Sequence, residues 1–390
     1  MQKKLLAVAV AGALGAPAFA LAQNATVNVY GRLYAEYSKV NQGNAGAVAP
    51  GAPLVDPDFL QNPGSELGFR GEEKLSGGMS AWFQCATTMD WRGQSSEGLC
   101  SRNSALGLKG GFGNFFMGNW DTPWKRVQTF VGGNETGVFG TAQLLYGQST
   151  TTASGAAGGG NFMRRQRNSI NYDTPVFSGF QAMFAYTTTN TETATLSAAT
   201  NSKPRIWSLA AKYDNGPINV NFSYERHNDI TGATAIRGDD RGWALGGSYT
   251  FSNGLKVGGL YTRQNFERGT VAAPTEGTVR AWHIGMDWMI SGPHGVRASY
   301  TRAGDVDGSG FAGIGTGAPV YRPANAAAGG TGANLWQIRY VHKLSKRTEF
   351  TAGYSKLDNK ANAAYQLYGL SSNRVGEDQS AFALGLDHRF

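Results

Sequence analysis

The sequence predicts an all-β fold, a 16-stranded antiparallel transmembrane β-barrel with long external loops. Three observations point to it. Apolar and polar residues alternate with a period of two through a long series of short segments, the mark of strands whose two faces meet different surroundings. Tight turns rich in Gly, Asn and Ser alternate with long polar loops along the chain. The 390 residues include 55 glycines and only 16% charged residues, yet beyond the N-terminal apolar run no stretch is long enough to cross a bilayer as a helix.

Met1 to Ala22 reads as a signal peptide: Lys3 and Lys4, an apolar run from Leu5 to Leu14, then Ala20-Leu21-Ala22 as a small-x-small cleavage site. The run is too short for a membrane-spanning helix and is interrupted by Gly12, Gly15 and Pro17. The same strand and turn rhythm continues from residue 23 to 390 without a break that looks like a linker, so one barrel domain is expected there.

The first strand, Thr26 to Lys39, sets Val27, Val29, Leu33 and Tyr37 against Asn28, Tyr30, Arg32, Tyr34 and Glu36. Ser65 to Lys74 follows, with Leu67 and Phe69 outward and Glu66, Arg70 and Glu72 inward, then a turn at Ser76-Gly77-Gly78. Met79, Ala81, Phe83 and Cys85 resume the apolar face. Ser101 to Lys109 and Asn114 to Trp120 make the next pair, though Phe115 and Phe116 leave the parity of the second strand open. A connection from Asp121 to about Arg164 is too long to be idle. Further strands are expected at 169–173, 180–187, 207–213 and 218–224, around the turn Asp214-Asn215-Gly216-Pro217, whose residues accept positive φ. The pattern repeats at 243–251 and 255–263, 279–290 and 296–302, and 335–344 and 348–356. It closes with Ser380 to Phe390, where Phe382, Leu384, Leu386, His388 and Phe390 share a face. Aromatics gather at the ends of the outward faces, among them Trp243, Tyr261, Trp282, Trp336 and Tyr340, as in a membrane-interface girdle.

The formal charge is +8, falling to +6 without Lys3 and Lys4, and it is spread over many strands. With an exported chain and no aromatic-basic recognition motif, nucleic acid is not the expected partner; a water-filled lumen that favours anions uses such charge better. Cys85 and Cys100, on neighbouring strands of one hairpin, suit a disulfide in an oxidising compartment, with no further Cys or His nearby to suggest a metal. The five histidines sit on separate strands or turns and no nucleophile elbow or His-Glu-x-x-His occurs, so neither an enzyme nor a cofactor is expected. Asp305-Val306-Asp307-Gly308-Ser309-Gly310 begins like a calcium loop, but Thr316 stands where the bidentate Glu is needed.

Several landmarks together resemble the trimeric general porins of Gram-negative bacteria: Asn168 to Phe180 (NSINYDTPVFSGF), the turn Leu344-Ser345-Lys346-Arg347-Thr348, the opening Val29-Tyr30-Gly31 and the terminal His388-Arg389-Phe390. The resemblance spans nearly all of the chain after residue 22. It implies an outer-membrane homotrimer of sixteen-stranded barrels for small hydrophilic solutes, with the third external loop folded into each lumen. It also implies that Phe390 is a signal to the barrel-assembly machinery, with outer-membrane lipid around the wall. Two departures stand out. Gly118-Asn119 replaces a Gly-Arg pair common in the family, and Ser65-Glu66 replaces Ser-Arg.

A pore discriminates at its narrowest section, where few water molecules separate a permeant ion from the wall. Arg32, Arg70, Arg165 and Arg167 are the expected wall residues, with Arg339 across the pore and Glu135 on the long connection. Lys212, Lys256, Arg297 and Lys343 read as ordinary solvated residues. Asp121, Glu135 and the wall carboxylates Glu36, Glu66 and Glu72 temper the positive charge, so the expected preference for anions is weak. A substrate-specific channel for small anions and a non-conducting adhesin barrel remain alternatives.

Overall fold

The computed structural model describes residues 26–43, 56–93, 97–146, 162–188, 205–228, 239–270, 273–308, 329–367 and 376–390. The leader read at residues 1–22 lies outside them. Seventeen strands form a single antiparallel sheet: β1 (Thr26–Gln42), β2 (Asp58–Gln61), β3 (Glu66–Lys74), β4 (Ser80–Thr88), β5 (Ser104–Gly110), β6 (Gly113–Asp121), β7 (Arg165–Asp173), β8 (Phe180–Thr187), β9 (Arg205–Asn215), β10 (Ile218–Asn228), β11 (Asp239–Thr250), β12 (Leu255–Thr270), β13 (Ala273–Ser291), β14 (His294–Ala303), β15 (Ala333–Lys343), β16 (Thr348–Asn359) and β17 (Gln379–Arg389). From β3 onward every strand pairs with the next in sequence, β1 pairs with both β2 and β3, and β17 pairs with β1 from Arg32↔Arg389 to Gln42↔Gln379, which closes the barrel. Because β2 and β3 share one edge of β1, at Glu36–Lys39 and Thr26–Arg32 respectively, the seventeen strands make sixteen staves. Closure leaves no free sheet edge, so the backbone is satisfied within the wall.

Period two governs the wall. Val29, Phe222, Leu245, Ile284, Ile338 and Phe382 are large, apolar and exposed, whereas Ser208, Asn221, Ser223, Thr262, Gln264 and Thr301 are polar and buried. A soluble core has the reverse distribution. Phe115 points outward and Phe116 is buried inward, which settles the parity of β6. There the Phe116 ring packs at a tilt against Trp82 and edge-on against Trp120, at centroid separations of 5.4 and 5.1 Å, over the gap that Gly107 leaves.

The inner face is not polar throughout. Trp124, Val138, Phe139, Leu144, Leu145 and Tyr146, from the connection after β6, share one buried apolar cluster with Leu260, Phe266, Ala281, Leu335 and Ala383 of the strands. Ala, Leu and Phe occupy those inward positions because they meet this segment and not water. Cys85 and Cys100 form a disulfide with a Cα–Cα distance of 4.7 Å. Cys100 lies in the connection before β5, at φ 60°, and not on the expected strand.

Candidate functional site

The connection between β6 and β7 is described from Thr122 to Tyr146 and from Phe162 to Arg164, with short helices at Pro123–Arg126 and Ala142–Tyr146. Its hydrogen bonds run to inward side chains all round the wall. The buried Glu36 carboxylate accepts the Val138 amide at 2.8 Å and the Tyr34 hydroxyl at 2.7 Å. Arg339 donates to the Gly133 carbonyl at 3.2 Å and the Asn134 side-chain oxygen at 2.9 Å, and lies over the Phe139 ring. His283 Nε2 donates to the Val131 carbonyl at 2.9 Å, and Gln264 donates to the Leu145 carbonyl. The fit is close: a Cβ on Gly285 would run into the Val131 carbonyl, and one on Gly132 into the Ala298 carbonyl.

Residues 126–134 of this connection roof a cavity of about 510 Å³ whose walls come from β1 and β9–β17. Seven cationic side chains line it, Arg32, Arg126, Lys212, Lys256, Arg297, Arg339 and Arg389, against the carboxylates Asp214, Asp287, Glu349 and Asp387, an excess of three positive charges. Arg32 is paired with Asp387 at 2.8 Å, and Arg297 with Asp287 and Glu349. Arg126 is held by Asp173 at 2.6 Å. Lys212 and Lys256 have no hydrogen-bond or ion-pair partner among the described residues.

The expected site residues therefore divide. Arg32 and Arg339 line this cavity. Arg70 does not: it pairs in register with Asn28 near the start of β1 and lines a separate cavity of about 340 Å³ with Glu72, Trp82 and Lys109. Arg165 is buried against Asp121 and Asn103, at 3.2 and 2.7 Å, and Arg167 lies at the β6–β7 irregularity. Neither lines either cavity. Glu135 is bound to Lys125 at 2.7 Å. The three wall carboxylates expected to offset the arginines are committed elsewhere, Glu36 to Val138 and Tyr34, Glu66 to Arg102 and Glu72 to Lys109. Sequence reasoning set Lys212, Lys256 and Arg297 aside as ordinary solvated residues, yet these three line the cavity beside Arg126, at the start of the long connection. Inward parity was the available signal for the three, but it marks every wet-face lysine or arginine alike.

A closed barrel, apolar outside, with a charged water-accessible cavity walled by ten of its strands, defines an outer-membrane pore-forming protein. The Gram-negative porin family model matches residues 6–362, and the chain belongs to that family, whose members are channels for passive diffusion across the outer membrane. It is 28% identical over 396 residues to outer membrane porin protein 32 of Delftia acidovorans, covering 100% of both chains. It is also 32% identical over 192 residues, 48% of each chain, to major outer membrane protein P.IB of Neisseria gonorrhoeae. Among solved structures, an anion-selective porin from Comamonas acidovorans superposes with a TM-score of 0.69 at 22% identity, covering 94% of this chain and all of that one. The trimer form of OmpT from Vibrio cholerae gives 0.62 at 14% identity, covering 94% and 99%.

Proposed function

We propose that this porin is a general diffusion pore with a weak preference for small anions, set where residues 126–134 face Arg32, Lys212, Lys256, Arg297 and Arg339. The observation that carries this reading is the excess of three cations around the cavity, with Lys212 and Lys256 unneutralised. A permeant anion in a narrow section keeps only part of its hydration, and fixed charge within about 10 Å is poorly screened there. Arginine donors offer a carboxylate or phosphate successive partners along the wall. The connection after β6 narrows the lumen in this reading and Arg339, Glu36 and His283 hold it in place.

The similarity to an anion-selective porin agrees with this preference, and the trimeric neighbour agrees with a homotrimer. Residues 1–22 act as the export signal, and Phe390, whose backbone exchanges hydrogen bonds with Gly31, presents the terminal aromatic to the assembly machinery. Reversal potentials in a planar bilayer under a potassium chloride gradient test the preference. The expected sign is that of chloride, and Lys212→Gln with Lys256→Gln moves the potential toward zero. A potential on the potassium side in the wild-type pore contradicts the proposal.

A further inference from the structure

Two histidines of neighbouring strands meet on the outer face of the barrel, at the end that carries the tight turns. His294 opens β14 directly after the turn Gly292-Pro293, and His342 stands opposite it near the end of β15. Tyr340, two residues before His342, shares its face and lies diagonal to His294. Short turns of an outer-membrane barrel face the periplasm, so the three side chains stand at the periplasmic rim. All are accessible: His294 and Tyr340 are exposed and His342 is half-buried.

Their polar atoms converge. His294 Nδ1 is 2.5 Å from the Tyr340 hydroxyl and 3.1 Å from His342 Nδ1, which itself lies 3.2 Å from the same hydroxyl. A ring nitrogen offers one proton or one lone pair, not both. If each imidazole bonds the hydroxyl, nothing is left to fill the contact between the two nitrogens; if the nitrogens bond each other, the hydroxyl loses both. Hydrogen bonds therefore cannot hold all three contacts at once, whereas a cation that takes a lone pair from each atom can. The spacing also suits one. Two nitrogens at about 2.0–2.1 Å from a common ion stand about 2.9 Å apart at a right angle and about 3.3 Å apart at the tetrahedral angle. The observed 3.1 Å falls between. His388, on the outer face of β17, shows the ordinary alternative, its Nδ1 bonded to the Thr348 hydroxyl at 2.9 Å.

We propose that His294 and His342, completed by the Tyr340 oxygen, form a periplasmic site for a divalent transition metal, copper or zinc. Imidazole donors suit these ions, whereas magnesium and calcium favour sites built from oxygen. No group of three His, Cys, Asp or Glu that could hold a metal gathers among the described residues. The third protein donor is therefore a phenol oxygen, and water supplies the rest. Copper, which heads the affinity order of the divalent first-row ions, is the tighter ligand. None of the three residues lines the cavity described above, so binding is separate from conduction. Ligation ties the strand that leaves one tight turn to the strand that enters the next.

The test titrates the folded, detergent-solubilised porin, stripped of metal by a chelator, with copper(II) and with zinc(II). One ion per chain is expected, with copper the tighter and neither displaced by excess calcium or magnesium. Electron paramagnetic resonance of the copper complex should show coupling to two imidazole nitrogens. His294→Gln or His342→Gln lowers copper affinity by at least about tenfold and leaves coupling to one nitrogen. Tyr340→Phe weakens binding less and His388→Gln leaves it unchanged, while unaltered single-channel conductance shows that each barrel is folded. The wild-type spectrum decides the matter if a variant does not assemble. A copper spectrum without coupling to two nitrogens, undiminished affinity in the variant carrying both His294→Gln and His342→Gln, or displacement by calcium overturns the proposal.

Discussion

Glu36 is the residue whose loss speaks most directly to how the inner segment is held. Its carboxylate is fully buried and takes both the Val138 amide and the Tyr34 hydroxyl, at 2.8 and 2.7 Å. In Glu36→Ala both donors stay buried without an acceptor. A hydrogen bond to a charged group is worth about 1.5–3 kcal/mol, and an orphaned buried donor costs a further 1–3 kcal/mol. Taking about 3 kcal/mol for the whole lesion, local opening of the segment becomes easier by roughly two powers of ten at 1.4 kcal/mol per decade. Hydrogen exchange at Val138 reads this, since its amide donates to the deleted group. Exchange there should accelerate about a hundredfold, while amides of β10 and β11 keep their rates, and single-channel records should gain excursions to higher conductance. Glu36→Gln, which retains one acceptor oxygen, falls between. Unchanged Val138 exchange in Glu36→Ala would refute the claim that this carboxylate anchors the segment.

Other consequences follow from contacts already described. Gly285→Ala puts a methyl group against the Val131 carbonyl; the segment must shift, and a changed conductance with an intact barrel by circular dichroism is the expected outcome. Reducing the Cys85–Cys100 bridge, of sequence separation 15, should lower stability by about 3 kcal/mol on the chain-entropy estimate, seen as a lower unfolding midpoint in urea, with conductance unaltered. Asp90 lies outside the strands, and the Arg92 guanidinium hydrogen-bonded to it holds its carboxyl below the ordinary 3.8. A depressed folded value contributes stability that is complete above 3.8 and lost as pH falls through the folded value. Arg92→Gln should therefore flatten that acid limb of the stability curve and lower stability at neutral pH, where the contribution is complete; an identical acid limb contradicts the assignment.

Much of the wall could be read from residue order because period two needs no tertiary knowledge. In β17, Phe382, Leu384 and Leu386 declare the lipid side through their spacing alone, and the structure leaves all three exposed. The four residues of β2 escaped notice because so short an alternation is indistinguishable from loop. The apolar patch inside the barrel was illegible for a different reason. Leu145 meets Gln264 across 119 positions of sequence, so Leu260 and Phe266 look misplaced on a wet face until the segment that covers them is in position. The charge pattern of the cavity was half legible: Arg32 and Arg339 follow from parity, whereas the removal of Glu36, Glu66 and Glu72 by local partners depends on side-chain geometry that spacing does not carry.

The neighbouring residues Ala211 and Lys212 condense the whole arrangement into one comparison, since the first is exposed on the outer face and the second lines the cavity. Each is replaced by cysteine in turn and the open channel is exposed to a charged, water-soluble thiol reagent in a planar bilayer. Stepwise loss of current in Lys212→Cys with no response in Ala211→Cys is the predicted result; equal responses, or a current lost only in Ala211→Cys, would contradict it.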